Sequence, residues 1–216
     1  MTAARILYVV TEDWYFLSHR LPMARAAKAA GYEVHVATRL NEGKAAIEAE
    51  GFTPHALSWQ RGSLSPTHSL AGVAELRRLL RALKPDILHN ISLKPVLLGG
   101  IASLGLSSIA VVNSLTGLGT LFVGNHRKSE LTRPLVVAAL KALLKRPNVR
   151  TIVQNPDDKR FVLGLGVPEA SASSMADARL SIARSDRRLS SPPKGSGIGV
   201  CASVARLAIL PLTPRP

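Results

Sequence analysis

Six short runs of mostly apolar residues recur along residues 5 to 154, with helix-length spacers between most of them, and this rhythm constrains the fold more than any other feature. The first, Arg5 to Val10, is aliphatic without polar alternation, the pattern of a strand buried on both faces of a parallel sheet. Glu33 to Thr38, Pro54 to Leu57, Asp86 to His89, Ile109 to Asn113 and Arg150 to Gln154 read as five further strands. Parallel neighbours need right-handed crossovers, and helices supply them. The expected fold class is therefore α/β, a Rossmann-like doubly wound parallel sheet followed by an irregular C-terminal tail.

The spacers carry helical signals. A polar and aromatic loop is expected around Thr11 to Tyr15, followed by a helix in which Leu17, Leu21, Ala24, Ala27 and Lys28 recur at helical spacing up to a left-handed cap at Gly31. Ala45 to Ala49 reads as a short helix. After a loop at Arg61 to Pro66, Leu70, Val73, Leu76, Leu79, Leu80 and Leu83 share one helical face. Glu75, Arg77, Arg78 and Arg81 are expected to point away from it, and Pro85 stops the helix. Two more helical segments are expected near Pro95 to Leu104 and Leu135 to Leu144.

The rhythm ends near residue 168. No Phe, Tyr or Trp follows Phe161, and Ser171 to Pro216 holds nine serines, five prolines and seven Lys or Arg against two Asp. A core without aromatics is rare, and this composition belongs to disordered or linker segments. Residues 1–168 are read as one domain and 169–216 as a tail, either disordered or an out-of-frame translation.

Composition narrows the function classes. Hydrophobic residues make up 46% of the chain and charged ones 19%, which fits a globular protein. The formal charge of +14 favours anionic partners without naming one. Cys201 is the single cysteine, so neither an intrachain disulfide nor a zinc finger can form. Only Arg5 precedes the short apolar run at the N-terminus and Glu12 and Asp13 follow it, which argues against a signal peptide; no run reaches the ~20 apolar residues of a spanning helix. The expected location is cytoplasmic.

Ligands of open parallel sheets bind beyond the carboxyl ends of the strands, so the residues after each strand are the ones to inspect. After the first come Ser18, His19 and Arg20, which either hold a phosphate at a helix start or form a solvated start capped by Ser18. After the fourth stand His89, Asn90 and Lys94, with Gly99 and Gly100 in the next helix. His89 is either a base or sugar hydrogen-bonder, or a structural histidine; Lys94 is a candidate for a phosphate. After the fifth come Ser114, Thr116, Gly117 and Gly119, hydroxyls and tight-turn glycines that either meet a polyol or make an ordinary glycine turn. Asn155 with Pro156, Asp157 and Asp158 reads as a helix start rather than a catalytic group. There is no G-x-G-x-x-G after the first strand and no Walker phosphate loop, which disfavours a dehydrogenase or nucleoside triphosphatase.

Taken in order, Ile6 to Val10, Phe16 to Pro22, His89 to Gly100, Ser114 to Phe122 and Gln154 to Asp158 resemble the N-terminal domain of family 4 glycosyltransferases, in the bacterial branch that extends capsule, exopolysaccharide and lipid-linked glycans. The resemblance spans about Arg5 to Val167. It implies the N-terminal half of a GT-B fold, with the acceptor held on this domain and the nucleotide-sugar donor on a second one. The family's donor-side pair of glutamates has no counterpart, since no glutamate follows Glu169, and this chain alone is expected to be inactive. Many relatives place a histidine after the fifth strand where Asn113 and Ser114 stand here, so no base is carried over, and His89 is the one catalytic candidate. The substrate-binding set is His19, Arg20, His89, Asn90, Lys94, Ser114, Thr116, Gly117 and Gly119. No cofactor and no metal are expected, the nucleotide sugar being a substrate. The implied partners are a sugar acceptor, lipid-linked or polysaccharide, and an anionic membrane surface met through Arg77, Arg78 and Arg81, without nucleic acid. A non-catalytic module binding a phosphorylated or glycosylated ligand is the alternative.

Overall fold

The computed structural model describes residues 3–59, 66–116 and 127–174. All seven strands found there lie in one parallel sheet: β1 (Arg5–Glu12), β2 (Glu33–Arg39), β3 (Thr53–Ala56), β4 (Ile87–Ile91), β5 (Ala110–Leu115), β6 (Val149–Val153) and β7 (Ala172–Ser174). Their order is β3-β2-β1-β4-β5-β6-β7. The chain winds outward from β1 in one direction and from β4 in the other, so the switch point lies between these two strands.

Pleat alternation divides the core in two. Ile6, Tyr8 and Val10 of β1 pack with Phe16, Met23 and Ile47, residues of α1 (Asp13–His19), α2 (Leu21–Ala29) and α3 (Lys44–Ala49). Leu7 and Val9 face the other layer, packing with Leu76 and Leu80 of α4 (Pro66–Leu83), Val96 of α5 (Leu93–Ala102), Leu140 of α6 (Arg127–Leu144) and Val162 of α7 (Pro156–Gly164). Every residue of β4 and β5 is buried, as sequence runs without alternation demand. The doubly wound sheet is therefore the one expected, and Gly31 takes the left-handed φ of 90° at the end of α2.

Several local expectations are corrected. The loop expected at Thr11 to Tyr15 does not exist: β1 runs to Glu12 and α1 starts at Asp13, whose carboxylate accepts the Trp14 N–H at 2.7 Å. The single helix expected from Leu17 breaks at Arg20 (φ −120°), because Pro22 lacks an N–H and its ring clashes with the carbonyl four residues back. Leu70 lies off the buried face at 72% exposure. Glu75 and Arg77 do not simply face water: Glu75 accepts the Ser58 hydroxyl at 2.9 Å, and Arg77 donates to the Ala102 and Leu104 carbonyls at 2.8 Å each. The helix expected near Leu135 begins at Arg127 and runs through Pro134. A seventh strand, β7, extends the sheet to Ser174, beyond the boundary expected at residue 168. It consists of Ala172, Ser173 and Ser174, which form no apolar run, and the rest of the expected tail lies outside the described residues.

Candidate functional site

The crevice at the switch point is built on an acidic floor where β1 becomes α1. Asp13 is 2% exposed, and its carboxylate accepts the N–H groups of Asn41 at 2.7 Å, Gly43 at 2.9 Å and Trp14. Burial alone would raise its pKa, but these backbone bonds outweigh burial and hold the carboxyl below its ordinary value. Asp13 thus staples the loop after β2, and a Cβ on Gly43 would stand 2.9 Å from the Asp13 Cβ. Glu12 beside it is 7% exposed and lies 3.7 Å from Arg39.

Above this floor a polar cluster joins three strands' worth of loops. Arg20, 8% exposed, donates to the Tyr15 hydroxyl at 3.1 Å. Ser92 and Thr116, whose own hydroxyls lie 3.1 Å apart, also act on the ionisation of the Tyr15 hydroxyl. Burial would raise the Tyr15 pKa, yet the Arg20 charge and these groups carry it below the ordinary tyrosine value. Ser92 adopts φ 78°, an unfavourable conformation for a residue with a side chain, and its N–H donates to the Ser114 carbonyl at 2.9 Å. His19 is exposed; its ring stacks on Tyr15 at 4.7 Å and its Nδ1 lies 2.6 Å from the Ser18 hydroxyl. Trp14, 49% exposed, meets Tyr15 edge-on at 5.9 Å.

His89 lies opposite Tyr8 in the sheet register, 5.3 Å between rings, with Nε2 2.8 Å from the Ser114 hydroxyl. Burial first, and the Arg20 charge second, push its pKa down to about 3. It is a neutral hydrogen-bonding group near neutral pH, far too weak a base to hold a proton there. Asn90, the next residue, turns to the opposite face of the sheet: its amide donates to Asn113 at 2.9 Å, and it is fully buried against Gly99 of α5. Lys94, half-buried in the first turn of α5, has its pKa lowered by burial and partly restored by Glu12.

Arg20, His89, Ser114 and Thr116 are therefore brought together, His19 and Lys94 lie on nearby elements, and Asn90 is set apart. Gly117 and Gly119 lie outside the described residues. Asn155 caps α7 by accepting the Asp158 N–H at 2.8 Å, the structural role expected of it. Tyr15 and Ser92 escape a reading of the sequence as site residues. For Tyr15 the available signal was its place in the aromatic run Trp14-Tyr15-Phe16 directly after the first strand; for Ser92 there was none, because its φ is invisible in sequence. Among the described residues, no three His, Cys, Asp or Glu side chains gather as a metal site.

The family described as "Glycosyl transferase 4-like" matches residues 5–153. The chain belongs to this family. Solved structures share the fold of this glycosyl transferase 4-like domain at low identity. A UDP-N-acetylglucosamine 2-epimerase is 14% identical with a TM-score of 0.58, over 79% of this chain and 47% of its own. A glycosyltransferase from Rickettsia africae is 13% identical with a TM-score of 0.57, over 90% and 51% respectively. HepE of Anabaena, solved in complex with UDP-glucose, is 14% identical with a TM-score of 0.51, over 86% and 49%. The chain thus spans about half the length of these solved proteins, and it has the fold of a Rossmann-like half of GT-B glycosyltransferases. No curated protein matches it in sequence. Among the described residues, no helix of this glycosyl transferase 4-like domain is long and apolar enough to cross a membrane.

Proposed function

We propose that the domain is the acceptor side of a glycosyltransferase that moves a sugar from a nucleotide sugar to a hydroxyl of a lipid-linked or polysaccharide acceptor in cell-surface glycan synthesis. The observation that carries this reading is the convergence of Tyr15, Arg20, Ser92 and Thr116 at the switch point of a family 4-like sheet. Neutral hydroxyls with one fixed cation suit a polyol bearing negative charge, since each hydroxyl can donate or accept and the guanidinium orients oxygen acceptors. In the transfer, the acceptor oxygen bonds to the anomeric carbon while the bond to the nucleoside diphosphate breaks, and the hydroxyl proton passes to the departing diphosphate. His89 and Ser114 fix the wall behind this cluster, and the donor is assigned to a second GT-B domain acting across the cleft. HepE, of the same fold, binds UDP-glucose, which supports a nucleotide-sugar donor. Exposed Arg78 and Arg81 on α4 support contact with an anionic membrane on the cytoplasmic side.

The test combines this chain with a donor-binding domain of the family and a panel of labelled nucleotide sugars with lipid-linked and polysaccharide acceptors. Label should pass to an acceptor, and Ser92→Gly with Thr116→Val should reduce kcat/KM by ~10-fold or more, as expected when hydrogen bonds to a bound substrate are lost. Saturable binding with no product from any donor would establish a binding module instead.

A further inference from the structure

Ser92 breaks two local rules at once. Its φ of 78° and ψ of 164° lie outside the left-handed helical region, in backbone territory that glycine alone occupies without strain. Lys84, the other non-glycine residue of positive φ among the described residues, has φ 48° just past the end of α4, an ordinary place for a left-handed residue. Serine is also among the best helix N-caps, yet Ser92, at the N-cap of α5, makes no side-chain cap bond. Its hydroxyl lies instead 3.1 Å from that of Thr116.

The turn is held from both sides, so the strain has nowhere to relax. The Ser92 N–H donates to the Ser114 carbonyl at 2.9 Å, and the Ser92 carbonyl accepts the Val96 N–H at 3.0 Å. α5 is not free to slide: a Cβ on Gly99 would stand 2.1 Å from the Asn90 Oδ1 and one on Gly100 2.9 Å from Leu143. At its far end Arg77 and Arg146 grip the last carbonyls. Glycine would take the same turn and keep both backbone bonds; what serine adds is a hydroxyl. A local rule broken at a cost in stability marks a functional position. That hydroxyl and its Thr116 partner are both half-buried, just past the carboxyl ends of the adjacent strands β4 and β5.

We propose that Ser92 and Thr116 form a pair that recognises two neighbouring hydroxyls of the acceptor sugar, and that the strained turn at Ser92 is what presents it. Each hydroxyl both donates and accepts, and the two stand a hydrogen-bond length apart, as adjacent hydroxyls on a sugar ring do. An anion calls on donors alone, whereas a pair that gives and takes suits an uncharged diol. The inference rests on the acceptor-side reading above and deepens it: Ser92 and Thr116 determine which sugar is accepted.

The experiment compares the full chain with Ser92→Gly, Ser92→Ala and Thr116→Val. Ser92→Gly, relieved of strain, should melt ~2–4 °C above wild type, and Ser92→Ala, which keeps the strain and loses the hydroxyl, below both. Saturation-transfer NMR then reads binding of methyl glucoside, methyl galactoside and methyl mannoside. Saturation should reach ring protons beside two adjacent hydroxyls in at least one glycoside and fall roughly 3- to 10-fold in each variant, the range for one lost hydrogen bond. A deoxy analogue lacking one of those hydroxyls should lose as much in wild type and little more in the variants. Should Ser92→Ala fail to fold, Thr116→Val reads the same pair from β5. Ser92→Gly no more stable than Ser92→Ala would overturn the strained presentation. Equal saturation in wild type and folded variants, or none with any glycoside, would overturn the pair. Undiminished sugar transfer by Ser92→Ala joined to a donor-binding domain would sink the pair and leave the transferase reading intact; glycoside binding that needs Ser92, without transfer from any donor, would do the reverse.

Discussion

Asp13 and Asn90 look alike on paper, polar residues after a strand, yet both are consumed by the fold. The Asp13 carboxylate satisfies three backbone N–H groups, and removing it leaves buried donors unpaired. Asp13→Ala is expected to lower the unfolding free energy by roughly 2–4 kcal/mol in urea titration. Because its folded pKa lies below the ordinary 3.8, the contribution is complete above that value and disappears as pH falls through the depressed one. Asn90 is matched to Gly99, where a Cβ would come within 2.1 Å of the Asn90 Oδ1. Gly99→Ala should cost about 1–3 kcal/mol by overpacking. Adding Asn90→Ala should then cost less than its own effect in the wild type, a coupling that a double-mutant cycle measures.

Among the elements, α5 ties the crevice to the opposite end of the sheet. Its amino end borders the Arg20 cluster, while its last carbonyls are gripped by Arg77 from α4 and by Arg146. Helix C-terminal carbonyls lack intrahelical donors and favour cations, so the two guanidiniums do here what a Schellman turn does elsewhere. Arg146→Met should destabilise the protein by about 1–3 kcal/mol. Amide exchange should quicken first in Gly100 to Ser103, and equal exchange in that turn would refute the clamp. The break between α1 and α2 matters in the same way: Pro22 stops α1, and the interruption places Arg20 under Tyr15.

For the molecule as a whole, three buried or half-buried histidines set the response to acid. His89 is held near pKa 3 against an ordinary 6.5, and His35 and His55 are also lowered, each chiefly by burial. His35 lies 3.0 Å from both His55 and Glu33, whose charge only partly offsets that burial. Below pH 6.5 the unfolded chain takes up protons that the folded one refuses, so stability falls with pH until the folded groups titrate. From His89 alone the slope is ~1.4 kcal/mol per pH unit. His89→Gln should flatten the acid limb between pH 6 and 4 by about one proton's worth of slope, measured from urea midpoints across that range. An unchanged limb would show that His89 is not the group responsible.

Strand and helix rhythm, the doubly wound class and the position of the crevice were determined by the sequence, because unbroken apolar runs and helical periodicity are local properties of the chain. His89 and Asn90 are adjacent and equally polar, so what separates them is pleat parity, which sends one toward Tyr8 and the other beneath α5. β7 became a strand through pairing with β6 and not through its own composition. Tyr15 lies in α1 and Ser92 and Thr116 follow β4 and β5, and only the winding of the sheet around β1, β4 and β5 brings these three distant positions to one crevice. Local pattern decides which elements form. Which side chains meet depends on contacts between residues distant in sequence, and only the tertiary structure sets those.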